Sequence, residues 1–152
     1  MDQFYSQLEK RSDKGDTPYN LRNCAYMDDF NSQNIAWQRI TQSNQFCLTE
    51  EKLIVLDSMA FISNIKHCEN YLLAQLNSKL VFFWVKCNVH EYGNTGFRLS
   101  NQYVEKMPLI KFDLEYEQLF KKLISTNQLK TIDQIIYNMY NLSKEEIDFI
   151  ES

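Results

Sequence analysis

The stretch Met59-Ala60-Phe61-Ile62-Ser63-Asn64-Ile65-Lys66-His67-Cys68-Glu69-Asn70-Tyr71-Leu72-Leu73-Ala74-Gln75-Leu76-Asn77-Ser78-Lys79-Leu80-Val81-Phe82-Phe83-Trp84-Val85 changes its period midway. Met59 to Ile62 is a short run of the apolar and aromatic type that favours strands. From Cys68 onward, Leu72, Leu73, Leu76, Leu80, Phe83 and Trp84 fall at near-helical spacing across Tyr71 to Val89, which predicts one long helix or two consecutive ones. A chain that passes from strands to helices in blocks is α+β rather than α/β.

On the N-terminal side, Leu21 to Tyr26, Ile35 to Ile40, Gln45 to Leu48 and Leu53 to Leu56 join Met59 to Ile62 as four or five expected strands separated by polar turns. Before them Gln3 to Lys10 predicts a short helix, ended by the turn formers Ser12-Asp13-Lys14-Gly15-Asp16-Thr17-Pro18. After the central helices, His90 to Asn101 is a polar loop holding Gly93 and Gly96, followed by a turn of helix at Gln102 to Lys106 and an extended exit over Met107 to Ile110. The tail from Asp113 predicts two or three helices, with capping-box spacings at Thr131…Gln134 and Ser143…Glu146. The expectation is a small mixed or antiparallel sheet, a central helical segment and a C-terminal helical tail, divided as a body over 1–112 and an extension over 113–152.

The chain has 152 residues, 44% hydrophobic and 24% charged, which is a globular balance. Glycine (3) and proline (2) are scarce. A dinucleotide fingerprint or a phosphate-cradling loop needs clustered glycines, and Gly15, Gly93 and Gly96 are the only ones, which argues against a nucleotide-binding enzyme. No apolar run approaches the roughly 18 residues of a membrane span. The start Met1-Asp2-Gln3-Phe4-Tyr5 lacks the pattern of a signal peptide. Four scattered cysteines, Cys24, Cys47, Cys68 and Cys87, read as free thiols, so the expected location is the cytoplasm and no membrane partner is expected.

Charge is unevenly spread. Residues 1–111 hold 12 basic and 12 acidic side chains, net 0, whereas 112–152 hold 4 and 8, net −4, the whole excess of the chain. Any nucleic-acid face therefore belongs to the first 111 residues, and its affinity is expected to be weak. The 14 Asn and 11 Gln could read adenine edges, although 12 Lys to 4 Arg and only four Ala describe equally the composition that an AT-rich genome imposes.

Sites for chemistry are sparse. His67, Cys68, Cys87 and His90 could supply four zinc ligands, but structural zinc sites use tight pairs on turns, and Cys68 and Cys87 lie in the apolar helical stretch. Glu50-x-Lys52 is half of a magnesium nuclease motif and reads more simply as turn charge, as do Asp28-Asp29 and Glu50-Glu51.

Four pieces in register resemble one family. Leu8 to Tyr26 looks like the opening of its domain. Asn34-Ile35-Ala36-Trp37-Gln38-Arg39-Ile40 resembles its K-I-V/I-W/Y-x-x-I strand, with Asn34 in place of the usual lysine. Tyr71 to Leu80 is similar to its Y-L-L-A-I-L-N-S-K-L helix, and Gly96 to Val104 with Met107-Pro108-Leu109 completes the set; Ile132 to Ile150 is similar to its closing helices. The family is the TaqI-like C-terminal specificity domain, the target-recognition part of type II restriction-modification adenine-N6 DNA methyltransferases. The resemblance implies sequence-specific recognition of double-stranded DNA beside a methyltransferase core, in cis or in trans. S-adenosylmethionine is expected in that core and no cofactor in this chain. Neither the family's F-x-G-x-G loop nor its Asn/Asp-Pro-Pro-Tyr/Phe tetrapeptide occurs in these residues, so no catalytic residue is assigned.

A recognition domain needs base-edge and phosphate contacts. The loop His90 to Arg98 is the first candidate: Asn94 and Thr95 at its tip, Asn94 suited to adenine, and Arg98 suited to guanine or phosphate. Asn101 follows it. Arg22 and Arg39, in expected strands beside Asn23 and Gln38, are candidates for DNA contact or surface ion pairs. Lys14, Lys79 and Lys86 can touch phosphate or merely solubilise, and Thr41 to Asn44 is a polar turn that can face a groove or solvent. The alternative function is a non-catalytic module that assembles with a modification enzyme through the acidic tail.

Overall fold

The computed structural model describes residues 1–93 and 96–152; the candidates Asn94 and Thr95 lie outside the described residues. Its organising strand is β1 (Ile35–Gln38), whose Ile35, Ala36 and Trp37 are all buried, as a strand covered on both faces requires. β1 leads through Arg39 into β2 (Ile40–Thr41). β3 (Cys47–Leu48) and β4 (Met59–Ile62) flank β1 antiparallel, in the order β3-β1-β4, with Ile35 opposite Leu48 and Ile62. β2 pairs instead with β5 (Phe97–Arg98), Ile40 facing Arg98 and Thr41 facing Phe97. The fold is α+β with an antiparallel sheet of three strands, a two-stranded ribbon, and seven helices among the described residues.

Two expected strands do not form. Leu21 to Tyr26 contributes only the bridge Leu21 to Lys14, so Arg22 stands in a loop, not a strand, and its amide donates to the Asp13 carbonyl. Leu53 to Leu56 is unpaired, with Leu53, Ile54 and Leu56 exposed. The opening helix is short, a 3₁₀ turn at Asp2–Phe4 running into α1 (Tyr5–Leu8).

The central helical segment is two helices, α2 (Glu69–Leu76) and α3 (Lys79–Asn88). They break at Asn77-Ser78 because both polar side chains bond the backbone there. The Ser78 hydroxyl accepts from the Val81 amide, an N-cap, and donates to the Gln75 carbonyl. The Asn77 side chain both accepts from and donates to the Phe46 backbone, tying the break to the sheet side of the fold. Val81 and Val85 of α3 share the main core with Ile35, Trp37, Leu76 and Leu99.

After the short α4 (Asn101–Val104), the tail forms α5 (Leu114–Ser125), α6 (Leu129–Met139) and α7 (Lys144–Glu151). Phe120, Leu123, Ile132 and Ile136 build a second core against Tyr71 and Ala74 of α2. Two tail carboxylates reach the body's backbone. Glu117 accepts from the amides of Asn70 and Tyr71 at the start of α2, and Asp133 accepts from the Lys79 amide at the start of α3. Each tail carboxylate therefore caps a body helix and meets the positive end of its dipole. Of the two expected capping boxes, Ser143…Glu146 forms and Thr131…Gln134 does not. α6 already starts at Leu129, so Thr131 lies inside its first turn.

Candidate nucleic-acid interface

The interface grows from the break in the strand at Arg39. There the chain leaves one sheet for the other. The Arg39 amide still donates to the Ser58 carbonyl beside β4, while its carbonyl accepts from the Leu99 amide beyond β5. The buried Trp37 indole donates to the Leu99 carbonyl at 2.9 Å, locking the two layers together. The Arg39 side chain is anchored as well, its Nε donating to the Met59 carbonyl at 3.0 Å. The terminal guanidinium nitrogens have no hydrogen-bond partner among the described residues, and the half-buried side chain lines three concavities at the junction of the two sheets.

The loop after α3 is brought back to this junction by glycine. At Gly96 φ is +113°, and a Cβ would sit 2.3 Å from the Thr41 carbonyl oxygen, so only glycine lets the loop run against β2. The Tyr92 amide donates to the Gly96 carbonyl, and Glu91 bridges to Phe97, closing the loop on itself.

Three concavities meet at Arg39. The largest, about 610 Å³, is lined by Arg39, His90, Tyr92, Arg98, Asn101 and Gln102 among others. A second, about 380 Å³, joins Gln38, Arg39, Ile40, Asp57, Tyr92 and Arg98. The third, about 410 Å³, has an aromatic floor of Tyr26, Phe30 and Phe61, with Arg39, Asp57 and Asn101 among its lining residues. The face is thus mixed in sign: guanidinium groups for phosphate or guanine, amides for adenine, carboxylates for base amines.

Gln38, Arg39, Arg98 and Asn101, four of the expected contact residues, come together on this one face. Arg22 and Lys14 line none of these concavities. Lys14 donates through Nζ to the Glu9 carbonyl instead. Lys79 is paired with Glu151 at 3.0 Å, and Lys86 lies over the Phe82 and Phe83 rings. The turn Thr41 to Asn44 is tied to the body: Thr41 is buried and donates to the Ser43 carbonyl, and the half-buried Asn44 donates through its amide to the Leu76 carbonyl at the end of α2, while Gln42 is exposed. Asp57, Gln102 and Tyr103 are lining residues that the sequence did not single out. Among the described residues no group of three or more His, Cys, Asp or Glu is placed to hold a metal, and no helix is long and apolar enough to cross a membrane.

In this small α+β domain the polar face is assembled from a strand break, a glycine-dependent loop and a helix start. The chain belongs to the TaqI-like C-terminal specificity domain family, whose model matches residues 2–109. That span contains the whole of this face and ends before α5. Membership makes this chain a DNA-recognition module of a restriction-modification system. No curated protein matches the chain.

Proposed function

We propose that this chain recognises a specific sequence in double-stranded DNA for an adenine-N6 methyltransferase of a type II restriction-modification system, and performs no chemistry itself. The observation that carries this is the convergence of Gln38, Arg39, Arg98 and Asn101 on one face within the matched residues. Arg98, exposed at the rim, grips a phosphate. Arg39, anchored at the centre, meets base edges, flanked by the amides of Gln38 and Asn101. Asn94 and Thr95 are proposed as further base contacts of this module.

Methyl transfer belongs to a partner core, joined in cis or in trans, which supplies S-adenosylmethionine. The residues of this chain offer that cofactor no glycine-rich loop: Gly15 stands alone near the start, and only Gly93 and Gly96 share a loop. The core extrudes the target adenine for reaction, while this module fixes which adenine is presented. The setting is the cytoplasm. The exposed apolar run Leu53, Ile54 and Leu56 favours a protein neighbour on that side of the domain. The alternative, a module that works only through its acidic tail, loses force because Glu117 and Asp133 are buried as caps of α2 and α3 and Glu151 pairs with Lys79.

Fluorescence-anisotropy titration of a labelled random-duplex pool tests the reading. Binding in the range of about 10⁻⁴ to 10⁻⁶ M that weakens steadily with added salt is expected. Absence of binding at low salt overturns it.

A further inference from the structure

We infer that Arg39 and Asp57 together read one G·C base pair of the target, the arginine taking guanine and the aspartate taking cytosine. The inference rests on the DNA-recognition reading and adds to it a base pair and two named readers.

Asp57 is an exposed residue in the turn 56–59, closed by the Met59 amide donating to the Leu56 carbonyl. That same turn holds Arg39 at two points, through the Ser58 carbonyl to its amide and through the Met59 carbonyl to its Nε. The two residues are thus held side by side by backbone, and they line two concavities in common. Yet they do not neutralise one another: the ion pairs among the described residues are Arg11–Asp13 and Lys79–Glu151. A carboxylate on a face that meets phosphate costs affinity unless it accepts from a base. The major-groove edge of a G·C pair offers what this pair of side chains demands. Guanine presents two acceptors, N7 and O6, to the two terminal guanidinium nitrogens, and cytosine presents its N4 amine to the carboxylate. An A·T pair presents the adenine amine to Asp57 but only one acceptor on each base to Arg39, so the bidentate contact is lost. Asp29 lines only one of the two shared concavities and is not held by the turn that grips Arg39.

The test is selection of bound sites from a randomised duplex pool by the full chain, followed by titration of the selected site and its single-pair variants. Wild type is expected to select a motif with a fixed G·C pair. Asp57→Ala and Arg39→Met are expected to lower the preference for that pair roughly ten- to a hundredfold, leaving the other positions unchanged. Replacing its guanine with 7-deazaguanine is expected to weaken wild type but not Arg39→Met. Asp57→Ala, a change at an exposed side chain, keeps the test open if Arg39→Met disturbs folding, which circular dichroism reports. A selected motif without a G·C pair, or one whose G·C preference survives Asp57→Ala, overturns this inference alone. Failure of wild type to select any motif overturns the DNA reading beneath it.

Discussion

Arg98 stands opposite Ile40 across the β2–β5 ribbon, exposed, at the rim shared by two concavities. Its role as a phosphate contact predicts that Arg98→Ala weakens binding to all sequences alike and makes the slope of log affinity against log salt shallower by about 1. Anisotropy titrations at several salt concentrations check this; loss confined to one base position would contradict it. For single residues the sequence was informative where residue type and chain neighbourhood suffice. Gln38, Arg39, Arg98 and Asn101 are polar residues flanking strand and loop patterns, which made them candidates, and the structure brings the four to one face. Asp57 was not, because an acidic residue in a turn reads as solvated, and only the pairing of β1 with β4 brings its turn to Arg39. The abundance of asparagine also has a partial structural answer. Asn64, Asn127 and Asn141 adopt φ of 57°, 55° and 54°, taking backbone positions usually given to glycine. Asn127 and Asn141 end α5 and α6, where the next amides along the chain fold back onto Leu123 and Tyr137 as in a Schellman motif.

Between elements, the tail's carboxylates fix the starts of the central helices. Glu117, buried, accepts from the Asn70 amide, the Asn70 side chain and the Tyr71 amide at 3.3, 2.7 and 2.6 Å. Glu117→Ala leaves those donors unsatisfied at the head of α2 and is predicted to cost roughly 2–4 kcal/mol in denaturant unfolding. Asp133 carries a pH signature. Burial holds its carboxyl above the ordinary 3.8, partly offset by the Lys79 amide and charge. A raised native pKa means that folding disfavours the ionised form. The contribution is present in full below the ordinary value and is lost as pH rises through the raised one. The melting-temperature advantage of wild type over Asp133→Asn is therefore predicted to be greatest in acid and to shrink with rising pH; an advantage that grows would contradict it. The helices were legible because their 3.6-residue period is written locally. Leu21 to Tyr26 and Leu53 to Leu56 have strand composition but find no ladder partner, and strand formation depends on pairing that composition does not encode. Thr131 failed as a cap for a related reason: the left-handed turn at Asn127 starts α6 early.

Across the whole molecule, the matched span of 2–109 holds the proposed recognition face, yet its central helices rely on the helical tail beyond residue 112. Tyr71 and Ala74 are covered by α5 and α6, and both helix starts are capped from the tail. The full chain is predicted to melt in one cooperative transition, while residues 1–112 alone lose that transition; calorimetry of the two decides, and an unchanged melt of the shorter chain would falsify the dependence. Of the tail's eight carboxylates, Glu117 and Asp133 are buried on amides of the body and the other six are exposed. The neutral body is left to meet DNA by a few placed contacts and not by a broad positive field. Weak overall affinity and real sequence choice are therefore compatible. The most direct measurement is sequencing of the DNA that the wild-type chain retains from a randomised duplex pool at low salt. Enrichment of one short motif, lost as salt is raised, is the predicted result; retention of the pool with no motif enriched would contradict the claim that this face reads sequence.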